Sequence, residues 1–199
     1  MQKLLIYSFE KFDRLSENPS TEFGKQMVRL LHTKVIVWHT ILPSTYDSWN
    51  LLLKDIKSFK PDLIMGFGVA PGRTRVCIEK IALNFIDNPK PDNKGKTLRH
   101  NKIDNKAPLA LEAKFDIIDL CNYLKENNIP AKVSYFADTF ICNYVYFNCL
   151  NFIDNNKLKT RSVFIHIPMN PEEVNKLDVE MASFPVNLLA TFLSNYILK

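Results

Sequence analysis

Residues 133–148 read VSYFADTFICNYVYFN. The stretch opens as a short apolar strand at Val133–Tyr135, turns through the polar bend Ala137-Asp138-Thr139, and reaches Cys142 where a run with helical spacing begins. A cysteine so placed has its sulfur beside backbone N–H groups that lack intrahelical partners, at the positive end of a helix dipole. Both features favour thiolate over thiol, and thiolate is the nucleophilic form. Cys142 is thus a candidate nucleophile, set against the plainer alternative of a small buried hydrophobe.

Strand and helix signals continue to alternate outward from this stretch. Lys3–Phe9 is a β-rich run, and Ser20 is a good N-cap for a helix whose inner face is Phe23, Met27, Leu30 and Leu31. Val35–Trp38 reads as a strand. Trp49, Leu52, Leu53 and Ile56 mark a helix that Pro61 stops. Leu63–Phe67 is a buried strand running into Gly66-Phe67-Gly68-Val69-Ala70-Pro71-Gly72-Arg73, and Ile78–Phe85 is another apolar segment, containing Glu79. Beyond a polar connection at 88–106, the spacing predicts a helix over about 111–126 with Phe115, Ile118, Cys121 and Leu124 inward. The helix after Cys142 carries Val145, Cys149 and Phe152. Ser162–Ile167 is a strand holding His166, and a last helix from Pro185 faces the core with Leu188, Leu189, Phe192 and Tyr196.

This alternation predicts an α/β fold: one domain over residues 1–199, a three-layer α/β/α sandwich with a twisted, largely parallel, mixed central sheet. Ligands in such sheets sit at the carboxyl ends of strands, so loops 9–20, 43–45, 67–73, 136–142 and 167–170 are expected on one rim.

Composition narrows the function classes. Of 199 residues, 46% are apolar and 24% charged, as in ordinary globular proteins, and the net charge of +5 is dispersed. The one locally basic segment, 90–106, has five Lys and one Arg against two Asp, but neither aromatics nor a basic helical face accompanies them. It reads as a solvated loop, and no nucleic-acid partner is expected. Cys77, Cys121, Cys142 and Cys149 form no CxxC pair and lie in apolar segments, as free thiols do in a reducing compartment. No apolar run approaches a signal or membrane-spanning length, so no membrane partner is expected and the expected location is the cytoplasm.

A thiol nucleophile needs a base within hydrogen-bond reach, and the base needs an orienting acceptor. His166, at a strand end, is the best-placed base, although a core histidine bonded to backbone is its plain alternative. His39 ends another strand, His32 closes a helix and His100 lies in the basic loop. Glu79 is the acid of interest, because a carboxylate in an apolar segment is costly unless paired. An ion pair with Lys or Arg at a strand edge explains it equally well.

The chain resembles the pyroglutamyl peptidase family (pyrrolidone-carboxylate peptidases, a cysteine exopeptidase family) over essentially its whole length. Gly68–Asn84, GVAPGRTRVCIEKIALN, is similar to that family's glycine-then-E-[KR]-x-A-x-N signature, and Phe140-Ile141-Cys142-Asn143 to its aromatic–aliphatic–C-N signature. Ser162–Pro168 resembles its histidine strand. Supporting likenesses are Ser8–Phe12, Asn18-Pro19-Ser20, Leu42-Pro43, Pro91-Asp92-Asn93 and Asn128–Ala131. The resemblance implies removal of N-terminal pyroglutamate from peptides. Cys142 is then the nucleophile, His166 the general base and acid, and Glu79 the holder of the imidazole, with no cofactor and no metal. It also implies a ring pocket of Phe9, Phe12 and Phe140, with Ser44, the backbone at Val69, and Ile141 around it. The implied assembly is a homo-oligomer (tetramer) or a monomer.

Five positions in three places depart from the family's pattern. Pro89 stands where it has an arginine ten residues after the glutamate, with Lys90 next. Phe136 and Asp138 replace a small residue and a glycine before the nucleophile, and Asp138 brings a charge that opposes thiolate formation. Ser8 and Lys11 replace glycine and proline in the first loop. The alternative function is accordingly a catalytically weakened or inactive relative that binds a pyroglutamyl or lactam ligand, or a peptide N-terminus.

Overall fold

The computed structural model describes residues 1–199. Eight strands are β1 (Lys3–Phe9), β2 (Ile36–Leu42), β3 (Leu63–Val69), β4 (Val76–Glu79), β5 (Ile81–Leu83), β6 (Ala110–Glu112), β7 (Ala131–Ser134) and β8 (Arg161–Ile167). Six helices are α1 (Pro19–Leu31), α2 (Ser48–Phe59), α3 (Ile117–Glu126), α4 (Ile141–Asn155), α5 (Pro171–Leu177) and α6 (Val186–Ile197). Six strands form one sheet in the order β2-β1-β3-β8-β4-β7, parallel throughout except where β4 meets β8; β5 and β6 form a separate antiparallel pair.

The period-two alternation of strand side chains divides the core into two layers. Leu63, Met65 and Phe67 of β3, Val76 and Ile78 of β4, and Val163, Ile165 and Ile167 of β8 join α1, α3 and α6 on one face. The opposite face packs Tyr7, Ile64 and Phe164 against α2 and α4. By the same alternation, Gly66 and Gly68 of β3, Glu79 of β4 and His166 of β8 belong to the α4 face. The glycines there are required. A Cβ on Gly66 would lie 2.1 Å from Tyr7 Cζ, and one on Gly68 would lie 3.0 Å from Cys142 Sγ.

The expected fold is present, with local corrections. The cap of α1 is Asn18, not Ser20: its side chain accepts from the Ser20 N–H, and Pro19 opens the helix. β2 extends past His39 to Leu42 because it pairs along the whole of β1. The apolar run after Val76 breaks at Lys80 into β4 and β5, which lie in different sheets. The helix expected from about residue 111 begins only at Ile117, capped by Asp116, because Ala110–Glu112 is drawn into pairing with β5. Its inner face is Ile117, Leu120, Cys121 and Leu124, which leaves Ile118 exposed. In α6 the buried set is Val186, Leu189, Ala190 and Leu193, and Leu188 points to solvent. No helix is long and apolar enough to cross a membrane.

Candidate active site

β3, β8 and β4 are neighbours at the centre of the sheet, and this adjacency assembles the candidate groups. Gly68 lies opposite His166 in the parallel register, while Glu79 pairs with Phe164 across the antiparallel one, two residues from His166 on the same face. His166 Nδ1 is 2.8 Å from Glu79 Oε1. An ionised carboxylate only accepts, so Nδ1 carries the proton and Nε2 is left as an acceptor on the far side of the ring. Phe164 sets the ring's tilt by an edge-to-face contact, with centroids 4.9 Å apart. The backbone carbonyl of Glu79 accepts from the Tyr146 hydroxyl at 3.0 Å, tying the end of β4 to α4.

Cys142 is the second residue of α4. Phe140 occupies the cap position with an extended backbone and no capping side chain, so first-turn N–H groups keep their hydrogen-bonding capacity. Asn143 anchors this end of the helix: its amide donates to the Leu83 and Phe85 carbonyls at 2.8 and 3.1 Å, and its oxygen accepts from the Leu83 N–H at 2.8 Å. The turn before it needs a left-handed residue, and Asp138 supplies one at φ +66°. Gly68 seats both partners, since a Cβ there would meet the Cys142 sulfur at 3.0 Å and His166 Cδ2 at 3.4 Å. The sulfur and the Cδ2 edge of the imidazole thus both pack over Gly68, and both residues line the same cavity.

Two hollows meet at Cys142. One encloses about 320 Å³ of empty space, mouth included, and is walled by Phe9, Phe12, Phe140, Val69 and Ile141, with Ser44, Asn18 and Gly68 at its edges. All six residues expected around a ring pocket thus line one cavity. The other hollow is wider, about 1120 Å³ including its open side, and polar; Arg73, Asp138, Pro89, Lys90 and Asp13 surround Cys142 and His166 in it. Loop-to-loop hydrogen bonds hold the rim. Glu10 accepts from the Ser44 N–H at 3.2 Å and from Asn93 Nδ2 at 2.9 Å, and Asn18 Nδ2 donates to the Glu10 carbonyl at 3.0 Å.

Electrostatics correct one expectation. The helix terminus does not make Cys142 a resting thiolate: burial, then Asp138, then Glu79, push its thiol up to about 12, against a smaller opposing pull from Arg73. Burial also lowers the His166 pKa, outweighing Glu79. Both shifts favour a neutral thiol and a neutral imidazole near neutral pH. Lys90 reaches the hollow but is paired, its Nζ 2.7 Å from Asp13 Oδ2. The other histidines serve elsewhere. His39 bonds Ser8 Oγ at 2.9 Å, His32 caps α1 through the Arg29 carbonyl at 2.8 Å, and His100 lies 3.2 Å from Asp87.

Glu79 is fully buried, and a third group supports it. Arg73 Nη1 donates to the same Oε1 at 2.6 Å, and Nη2 donates to the Phe136 carbonyl at 2.9 Å. Sequence reasoning passed over Arg73, Gly68 and Asn18. Arg73 and Gly68 fall inside the quoted signature, but nothing in their spacing shows that they reach Glu79 and Cys142.

The family model for pyroglutamyl peptidase matches residues 2–195. The chain belongs to the pyroglutamyl peptidase family. It is 35% identical over 175 residues to a pyrrolidone-carboxylate peptidase of Thermococcus litoralis, covering 87% of this chain and 80% of that one. Its structure is similar to the pyrrolidone carboxyl peptidase of Fervidobacterium islandicum, with a TM-score of 0.93 and 28% identity over 100% of this chain and 97% of that one. The pyroglutamyl peptidase I of Bacillus amyloliquefaciens gives a TM-score of 0.90 and 30% identity over 96% and 91% of the two chains. Family membership accounts for the signature asparagine too. Asn84 is fully buried and fixes the following loop, accepting from the Ile103 and Asp104 N–H groups and donating to the Asp104 and Ala107 carbonyls.

Proposed function

We propose that the protein is a cysteine exopeptidase that removes the N-terminal pyroglutamyl residue from peptides through a thioacyl-enzyme. The observation that supports this most directly is the position of Cys142 at the junction of an apolar hollow and a polar one. The hollow lined by Phe9, Phe12 and Phe140 suits a flat, uncharged lactam ring, and the wider one suits the departing peptide. In this reading the sulfur attacks the carbonyl carbon of the pyroglutamyl residue. His166 Nε2 takes the thiol proton and delivers it to the leaving amine. Water then adds to the thioester, with the same imidazole as base, and pyroglutamate departs as the sulfur regains its proton. Glu79 keeps the proton on Nδ1 and so keeps Nε2 available. First-turn amides of α4, including that of Cys142, face the developing oxyanion; one such donor is typically worth about a hundredfold or more in rate.

The test is hydrolysis of a pyroglutamyl fluorogenic amide. Wild type turns it over, Cys142→Ala loses at least about a thousandfold, and Pro89→Arg, which brings a guanidinium to the polar hollow, raises kcat. Equal inertness of wild type and Cys142→Ala, with a pyroglutamyl ligand still bound, would establish the binding-protein alternative. Four unpaired thiols suit a reducing compartment, and the cytoplasm is the location proposed. A homo-oligomer would register in light scattering as a multiple of 23.1 kDa.

A further inference from the structure

Arg73 belongs to the site without having a place in the nucleophile–base–acid scheme. It follows Gly72, whose φ of +87° turns the chain after β3 back toward the sheet, and its side chain is 23% exposed on the wall of the polar hollow. One arm of the guanidinium grips Glu79 Oε1, the oxygen that also accepts from His166. The other arm grips the Phe136 carbonyl, in the turn that leads to Cys142. Glu79 Oε2 has no partner. Arg73 and His166 are thus the two groups that satisfy a fully buried carboxylate, and Arg73 alone connects that carboxylate to the segment carrying the nucleophile.

We propose that Arg73 is a positioning residue of the reaction, a fourth member that holds the Glu79 carboxylate, balances its charge and couples it to the turn before Cys142. The proposal rests on the cysteine-peptidase reading above. The physical reason is charge accounting in a buried site. A carboxylate with the imidazole as its only partner stabilises the imidazolium strongly, and a base that already holds its proton accepts no other. Arg73 supplies a permanent positive charge against the same oxygen, so Glu79 orients the ring without loading it. Both His166 and Cys142 feel that charge, which lowers the pKa of each. The other titratable groups facing the trio and Cys142 are Asp138 from the turn, Tyr7 from β1, Tyr146 from α4, Cys77, which lies opposite His166 in the register, and, across the polar hollow, the Lys90–Asp13 pair.

The experiment measures kcat/KM against pH for wild type, Arg73→Gln and Arg73→Lys, with alkylation of Cys142 by iodoacetamide followed over the same pH range. Removing a positive charge makes both protons of the thiol–imidazole pair harder to lose. Both limbs of the bell therefore move to higher pH in Arg73→Gln, with kcat at pH 7 down about 10- to 100-fold and KM little changed. In Arg73→Lys, an ammonium lacks the two-armed reach but keeps the charge, so the limbs stay near their wild-type positions while kcat falls less. Restoration of Arg73→Gly by added ethylguanidinium is a second expected result. Limbs that coincide in wild type and Arg73→Gln would overturn the proposal, however far the amplitude fell. If Arg73→Gln does not fold, limbs in Arg73→Lys displaced upward as far as a lost charge requires would overturn the charge-balancing role. Alkylation reads the pair without substrate, so failure of wild type to cleave a pyroglutamyl amide would count against the peptidase reading and leave the Arg73 result interpretable.

Discussion

Asp138 is a single exposed side chain with two opposed effects. Its left-handed backbone lets the chain turn into α4, and its charge raises the pKa of both the Cys142 thiol and the His166 imidazole. Asp138→Asn keeps the turn, because asparagine also tolerates this conformation, and removes the charge. The alkylation rate of Cys142 at pH 8 should rise about two- to fivefold, a modest factor because solvent and salt screen an exposed charge; stopped-flow labelling with iodoacetamide reads it. An unchanged rate would mean that burial alone sets the thiol's proton affinity. Gly68→Ala is a harsher change. The added methyl meets the Cys142 sulfur at 3.0 Å and Phe164 Cζ at 2.9 Å, so the sulfur must shift. A loss of about a hundredfold in kcat/KM is expected for displacement of a reacting atom. At this scale Cys142 and His166 stood out in the chain as a helix start and a strand end, and Glu79 as a carboxylate inside an apolar segment, each within a signature similar to the family's. The resting state of the sulfur was not legible there. A helix terminus can be read from sequence, whereas burial and the proximity of Asp138 and Glu79 arise only when distant segments meet.

Among the elements, α4 carries the nucleophile and Asn143 fixes where that helix begins. Its three hydrogen bonds to Leu83 and Phe85 tie α4 to β5. Asn143→Ala leaves buried backbone groups unpaired, at a cost of about 2–4 kcal/mol. For a chain of this size that is a fall of about 5–15 °C in Tm by calorimetry, and activity at 25 °C should drop with it because the attack geometry loosens. An unaltered Tm would show that water replaces the amide at no cost. Strand and helix order were readable from hydrophobic period, and the sheet's parallel character followed from their alternation. The misplacement of α3 had a definite origin. Ala110–Glu112 is apolar enough to continue a helical pattern, but β5 offers it a ladder, and the helix restarts after Asp116 with Ile117 rather than Ile118 inward, Cys121 and Leu124 facing the core as expected. Pairing between segments some thirty residues apart leaves no local trace.

The whole molecule adds a dependence on acid. His39 bonds Ser8 between β2 and β1 and packs on Gly24; burial, aided by Lys25, lowers its pKa to about 4, and His166 is lowered as well. A histidine whose folded pKa lies below its unfolded value stabilises the fold above the unfolded value, near 6.5, and loses that contribution as pH falls toward the folded one. Urea midpoints should therefore decline between pH 7 and pH 4.5, with His39 contributing about 2 kcal/mol of the loss after allowance for its partial exposure. His39→Gln should flatten that decline, and an undiminished slope would place the acid sensitivity elsewhere.

The seat of the sulfur, half-buried between Gly68 and the imidazole, bears on how the molecule endures air and peroxide. Oxidants, like alkylating agents, consume thiolates far faster than thiols. A sulfur held as the thiol should therefore form sulfenic acid slowly at neutral pH.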